Sequence, residues 1–320
     1  MSDARHVTGS RLRIVEVPGY GAEDVLVGTD GADEGAVFTG TEDGAVLRIS
    51  HDARHISRIA HTGGRPLGLE LLGDGRLLVC DARRGLLAVD PRSGGVEVLV
   101  GDVDGRPMKF CNNAAVAGDG TIYFSDSSLL HGIDEWKHDL VRLTRTGRLL
   151  RRTPAGVVDV LVDGLAFANG VALAADESWV AVAETSLRTV VRRWLTGPRA
   201  GERDLLADDL PGYPDNIARG SDGLVWVTLA SPTDPVVSTV QRAPLWVRRG
   251  VTSIPERLQP APKRTIRVLA LDGDGRRVHD VVVDEPAARR AFHMVTGVRE
   301  HHGRVWLGSL HEAAVAYVDL

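Results

Sequence analysis

GDGTIYFSD, residues 118–126, is the stretch on which the reading of the fold turns. Its Asp-Gly pair supplies the positive φ of a tight hairpin turn, and a short run of β-branched and aromatic residues follows at once. The same unit recurs as DEGAVFTGT (33–41), GDGRLLVCD (73–81), ADESWVAVAE (175–184), SDGLVWVTL (221–229) and HHGRVWLGS (301–309), making six copies. The fourth has Glu177 where the others have Gly, which predicts a different turn there. A second strand-like run follows each copy: GAVLRIS (44–50), GLLAVDP (85–91), HDLVRLT (138–144), TVVRRWL (189–195), TIRVLALD (265–272) and AAVAYVDL (313–320). The pairing recurs about every 40 to 57 residues, with one longer gap before the last copy. Four-stranded repeats of this period are the mark of a β-propeller. No ten-residue amphipathic pattern separates the runs, as a βαβ sheet would require.

The expected fold is therefore all-β, a single six-bladed β-propeller over residues 1–320. RLRIVEV (11–17) reads as a strand with no blade of its own. It is predicted to pair with the last blade and close the ring, which removes exposed strand edges. A lid-like insertion is expected at about 230–264, where prolines from Pro232 to Pro262 rule out one long helix and short helical turns fit around Ala243–Arg249. Trp246 within it either covers a pocket or packs on the side of the barrel.

The hydrophobic fraction of 43% and charged fraction of 25% are ordinary for a globular protein. The net charge of −5 lacks the basic excess of a nucleic-acid binder. No run approaches the ~18 apolar residues of a membrane span, and the first residues, MSDARHVTGS, hold no apolar stretch of signal-peptide length. The expectation is a cytoplasmic protein acting on a small molecule, without nucleic-acid or membrane partners. Cys80 and Cys111 match no zinc spacing and read as two buried thiols, with a disulfide as the alternative.

In a propeller the innermost strand of each blade lines the central channel. Four blades place an acid or amide just before that strand: Glu23 and Asp24 in GYGAEDVLVG (19–28), Asn112 and Asn113 in KFCNNAAVAGDG (109–120), Asn169 in LAFANGVALAADE (165–177), and Asp215 and Asn216 in GYPDNIARGSDG (212–223). Oxygens from Glu23, Asn112, Asn169 and Asp215 suit a hard cation, Ca2+ before other divalent ions, and two carboxylates balance its charge. The bland alternative is that Asn and Asp at these places only form turns.

At these residues the chain resembles the calcium-dependent six-bladed propellers, a superfamily of strictosidine synthase-like proteins, the regucalcin/gluconolactonase group and the paraoxonases. The strictosidine synthase-like branch is the best likeness, through blocks such as GGRPLGLELL (63–72), DGLAFANGVALAADES (163–178) and DDLPGYPDNIARGSDGLVWVTLASP (208–232). The resemblance implies that GAEDV carries a calcium-binding glutamate at Glu23, that the first amide of the superfamily's Asn-Asp pair is Asn112, and that FANG and PDN contribute Asn169 and Asp215. Asn113 stands where the family usually has Asp, and Asn113 and Asn216 are expected to support the ligands from beside them. The glutamate of strictosidine synthase that drives condensation falls on Thr296, with Glu300 offset, and Leu67 lies where a paraoxonase histidine is expected.

These readings lead to an expected calcium-dependent hydrolase of a lactone or related ester, with Asp215 as base or nucleophile. His293 and His311 are candidates for a second proton carrier, with His61 and His131 weaker ones in loops of unknown orientation. A lyase, cyclase or isomerase on the same cation is the runner-up, and a binding propeller the third reading.

Overall fold

The protein is described from a computed structural model, covering residues 5–8, 12–29, 31–255 and 263–320. Six antiparallel four-stranded units follow one another around an axis. Their innermost strands are Leu26–Val27, Pro66–Leu71, Cys111–Val116, Ala168–Leu173, Gly212–Arg219 and Val295–His301, which define blades one to six. Arg13–Glu16 is the outer strand of blade six, antiparallel to Ala314–Asp319 with Arg13 opposite Tyr317 and Glu16 opposite Ala314, so the expected closure is present. A strand that the sequence did not announce, Arg5–Thr8, adds in parallel to the outer edge of blade five.

Alternation explains why the strands read as continuous apolar runs. Leu77 and Val79 pack toward blade one, while Leu78 and Cys80 pack toward blade three. Side chains of a strand point to opposite faces in turn, and here both faces are covered by a neighbouring blade. Six apolar cores result, one in each gap between blades. Cys80 and Cys111 are free buried thiols in the gap between blades two and three. Burial and the neighbouring Cys80 push the Cys111 thiol well above its usual range.

Two expectations need correction. The turn at Glu177 is not of a different kind: Glu177 takes φ +57, the left-handed conformation that Gly75, Gly120, Gly223 and Gly303 adopt at the same place. Its Oε1 accepts from the Gly118 N–H at 2.8 Å, so the residue that strains the turn also ties blade four to blade three. HDLVRLT (138–144) is no strand. Helix α1, Trp136–Arg142, fills most of it, and the third strand of blade three is Gly147–Arg152. The helix is held by Asp139, buried and bonded to Ser128 and Thr144. Trp136 and Leu140, four residues apart on one face, both line the same cavity.

The lid insertion holds two helices rather than isolated turns, α2 at Pro235–Arg242 and α3 at Leu245–Thr252. Asp234 caps α2 through Oδ1, which accepts from the N–H groups of Val236 and Val237 at 2.7 and 3.4 Å, with Pro235 in the first turn. The stretch 256–262 of the expected insertion lies outside the described residues. Helices α1 and α2–α3 occupy equivalent loops, between the second and third strands of blades three and five, and they dock on one another. Gln241 donates to the Leu140 carbonyl at 2.8 Å and Arg142 Nε to Thr252 Oγ1 at 2.9 Å. Trp246 is 76% exposed and covers nothing. Among the described residues no helix is long and apolar enough to cross a membrane.

Candidate functional site

A shared backbone irregularity builds the site. In blades two to six the pairing of the innermost strand with the second slips at an equivalent place, between Pro66 and Leu69, Cys111 and Ala114, Ala168 and Val171, Pro214 and Ile217, and Val295 and Val298, with a further irregularity in blade five between Tyr213 and Pro214. Each slip leaves two residues out of the ladder: Leu67-Gly68, Asn112-Asn113, Asn169-Gly170, Asp215-Asn216 and Thr296-Gly297. Blade one supplies Glu23-Asp24 just ahead of its inner strand. Bulges re-aim side chains, and here the same bulge is repeated around the axis. Asn112, Asn169 and Asp215 therefore sit within the inner strands at bulges rather than just ahead of them, whereas Glu23 lies ahead of its strand as expected.

The first members of all six pairs, Glu23, Leu67, Asn112, Asn169, Asp215 and Thr296, line a single cavity of ≈ 320 Å³ at one mouth of the channel. The second members lie against their neighbours' backbones. A Cβ on Gly170 would stand 2.0 Å from the Ile217 nitrogen, and one on Gly297 2.6 Å from the Asp24 Cα. Asn113 fastens three blades: its N–H donates to Ser125 Oγ at 3.1 Å, its Oδ1 accepts from the Val171 N–H at 2.9 Å, and its Nδ2 donates to Asp24 Oδ2 at 3.4 Å. Asp24 Oδ2 also accepts from the Leu69 N–H at 3.0 Å.

Orientation of the amides leaves oxygens bare. Thr185 gives its hydroxyl proton to the Pro214 carbonyl at 2.7 Å, so toward Asn169 it can only accept. Asn169 must then present Nδ2 to it, at 3.2 Å, and turn Oδ1 away. Asn112 Nδ2 lies 3.0 Å from Ser127 Oγ, and Asn216 Nδ2 donates to Glu23 Oε1 at 3.1 Å. Buried and without a hydrogen-bond partner are Asn112 Oδ1, Asn169 Oδ1, Asn216 Oδ1 and Glu23 Oε2. Buried acceptors of this kind are rare and costly, about 1–3 kcal/mol each. The carboxyls respond to the same crowding. Burial, then Asp215 and Asp24, push Glu23 well above the usual carboxylate range. Burial pushes Asp215 up to about 7, against the opposing effect of Asn169, and Asp24 up to about 7, against Arg299. Glu23 and Asp215, acids whose charge is disfavoured, together with orphaned amide oxygens form a donor set that fits a hard divalent cation.

Much of the remaining wall is apolar, with His138 and Lys137 among its polar members. Leu67, Phe110 and Phe167 form a small core with Ile133 and Trp136 beside it, and Phe110 meets Phe167 edge-on at 5.5 Å. Val236, Val237 and Val240 of α2 face the cavity from the lid. Thr296 Oγ1 donates to the Glu23 carbonyl at 2.8 Å, so this position carries an anchoring hydroxyl and no acid. His293 and His311 lie edge-on at 5.8 Å with Glu312 bonded to His293 Nδ1. Neither lines the cavity, whose nearest wall residues in the chain are Met294 and Leu310. His61 is exposed and accepts from the Gly63 N–H at 3.0 Å. Leu67 and Thr296, as members of the ring, were visible in the sequence only as departures from relatives. The repeat offset supplies the signal that was missed, because each stands next to a Gly one step deeper.

Comparison with known proteins agrees with this architecture. The sequence profile of the family described as Strictosidine synthase matches residues 112–198. Protein STRICTOSIDINE SYNTHASE-LIKE 10 of Arabidopsis thaliana is 31% identical over 348 residues, covering 98% of this chain and 91% of that one. The adipocyte plasma membrane-associated protein of Salmo salar is 32% identical over 333 residues, covering 93% and 77%. Among solved structures, a gluconolactonase from Xanthomonas campestris superposes with a TM-score of 0.69 at 16% identity, covering 97% and 90%. The calcium-binding protein regucalcin from Agrobacterium tumefaciens does so with 0.67 at 11%, covering 98% and 95%. At such identities the superpositions speak for the fold alone, whereas the sequence relatives speak for descent. The chain belongs to the strictosidine synthase-like family of six-bladed propellers.

Proposed function

We propose that this protein is a calcium-dependent hydrolase of a lactone or related ester, with Glu23, Asn112, Asn169 and Asp215 as the ion's ligands. The observation that carries the reading is the trio of buried, unpartnered oxygens Glu23 Oε2, Asn112 Oδ1 and Asn169 Oδ1 on residues that share one cavity with the half-buried Asp215. When bound, calcium supplies a Lewis acid that polarises the carbonyl of the substrate. The chain's own residues do the rest. Leu67, Phe110, Phe167 and the valines of α2 hold the apolar body of the substrate and exclude water. Asp215, whose carboxyl titrates near neutrality without an ion, takes the proton from the attacking water or attacks the carbonyl itself. Asn216 holds Glu23 in place through Oε1, leaving Oε2 for the ion. His293 and His311, outside the lining, are given no part in proton transfer. The gluconolactonase likeness supports a hydrolytic reading over the condensation that a glutamate at Thr296 would serve, and the regucalcin likeness supports calcium. The open cavity argues against a mere binding platform, since neither Leu67 nor Trp246 fills it.

Calorimetric titration with calcium, paired with a screen of lactones and aryl esters with and without chelator, tests this. Asp215→Asn and Asn169→Ala are each expected to weaken calcium at least about tenfold and abolish turnover in a protein that still folds. Parent-like calcium binding in both variants overturns the ligand assignment. Turnover without uptake of one water per product transfers the site to a lyase or isomerase.

A further inference from the structure

The segment HGIDEWKH (131–138), at the wall of the axial cavity, gathers a second constellation apart from the oxygen residues on the axis. A 3-10 turn, Ile133–Glu135, runs directly into α1. Residues 135 and 138 thereby fall on one face, and the preceding loop folds His131 onto them. His131 is fixed there by its N–H, which donates to Ser128 Oγ at 3.1 Å. One ligand atom from each of His131, Glu135 and His138 lies within 4.8 Å of the other two. His131 Nδ1 is 2.9 Å from Glu135 Oε2, and His138 Nδ1 is 3.9 Å from Glu135 Oε1. The two imidazoles stand edge-on at 5.6 Å.

The hydrogen bond on the far side of His138 decides what belongs between these atoms. His138 Nε2 lies 3.0 Å from the Thr252 carbonyl oxygen. A carbonyl only accepts, so Nε2 carries the proton. In neutral imidazole Nδ1 is then a bare lone pair, and it faces the lone pairs of the Glu135 carboxylate. Two acceptors turned toward each other call for a cation between them. An imidazole whose outer N–H is tied to a backbone carbonyl is also how metal-bound histidines are oriented.

We propose that His131, Glu135 and His138 form a site for a divalent transition metal of the zinc class, and that the bound metal fastens lid helix α3 to α1 through the His138–Thr252 bond. Two imidazole nitrogens and one carboxylate suit zinc, cobalt or nickel and are too few and too soft for calcium. Three protein ligands leave a fourth position open for water or an incoming group. Tetrahedral bonds of about 2.0–2.2 Å place ligand atoms about 3.4 Å apart, so closure onto a metal needs shifts of only about 1 Å. Coordination through Nδ1 polarises the His138 imidazole and strengthens its N–H donor toward Thr252, the last residue of α3, whose Oγ1 already takes a bond from Arg142. Because His138 also lines the substrate cavity, the clamp stands at the cavity wall. The inference is independent of the calcium reading.

The test is titration of the full-length, chelator-treated protein with Co2+ and with Zn2+. One equivalent of Co2+ is expected to give visible d–d bands of four-coordinate intensity, displaced by Zn2+ and unmoved by excess Ca2+. His138→Gln and His131→Gln should each weaken Co2+ at least about a hundredfold, since even loss of an outer hydrogen bond costs ten- to a hundredfold, while Asp215→Asn leaves it unchanged. Should either variant misfold, X-ray absorption at the metal edge of the parent must show two imidazole shells. Zn2+ should also slow tryptic cleavage after Arg249 in the parent. Absence of one-equivalent Co2+ binding, or retention of it in both histidine variants, overturns the site. Binding without protection at Arg249 overturns the clamp.

Discussion

The two residues that each blade leaves out of its ladder behave in opposite ways. The outer ring, Glu23, Leu67, Asn112, Asn169, Asp215 and Thr296, borders a cavity and includes three oxygens with nothing to bond. The inner ring, Asp24, Gly68, Asn113, Gly170, Asn216 and Gly297, is packed against backbone, and Asn113 spends both ends of its side-chain amide on other blades. Adjacent positions thus differ in kind: the first borders the cavity, in three blades with an unpartnered oxygen, and the second is packed to hold the ring. Only Asn216 spans both tasks, with Nδ2 on Glu23 and Oδ1 unpartnered.

If that division is right, substitutions one residue apart should differ in kind. The largest effect is expected at Gly170→Ala, where the added methyl meets the Ile217 nitrogen at 2.0 Å and the Asn216 Cα at 2.5 Å, both backbone that cannot turn aside. A loss of about 3 kcal/mol or more is expected in urea unfolding, and a cost below about 1 kcal/mol would show that the inner ring is looser than its geometry. Next comes the pair Asn113→Ala and Asn112→Ala. Asn113→Ala strands the Val171 N–H and part of Asp24, for about 2–3 kcal/mol. Asn112→Ala removes an oxygen that had no partner and should cost under about 1 kcal/mol. Equal losses from the two would erase the distinction between the rings.

A pH profile supplies the remaining test. Unfolded carboxylates titrate near 4, whereas Asp24 and Asp215 are pushed up to about 7 and Glu23 is raised in the same direction. The folded, ion-free protein therefore holds more protons than the unfolded chain between those values, and its stability falls as pH rises through that window. A bound divalent cation replaces those protons and flattens the slope. Thermal midpoints from pH 4 to 8 with chelator and with calcium should diverge as pH rises. Parallel curves would mean that Glu23 and Asp215 do not meet at a cation.

The blades were legible because hairpin chemistry is local: an Asp-Gly turn followed by a run buried on both faces needs no distant partner to be recognised. The oxygen residues were legible for a weaker reason. Glu23, Asn112, Asn169 and Asp215 stood out as polar side chains beside apolar runs, and that pattern placed them just ahead of the inner strands. That Asn112, Asn169 and Asp215 occupy bulges follows from pairing with the second strand, which no single segment encodes. HDLVRLT misled because Leu140, Val141 and Leu143 satisfy alternation and helical spacing alike over so short a run. The deciding contact, Asp139 between Ser128 and Thr144, is tertiary. Trp246 drew notice as a large aromatic in a long loop, yet three valines in α2 face the cavity instead. His131 could not be oriented before the turn that folds it onto Glu135 was known.

Closure of the ring by Arg13–Glu16 against Ala314–Asp319 carries a cost in time. Ile14 finds its partner Ala316 only after all six blades between them have been made. At about 5–20 residues per second, translation leaves that strand waiting for the better part of a minute at the slow end. Blades one to five can collapse behind it, but the circle stays broken and both of its lips stay sticky until the last blade emerges. A nascent chain of this design should lean on chaperones late in synthesis rather than early.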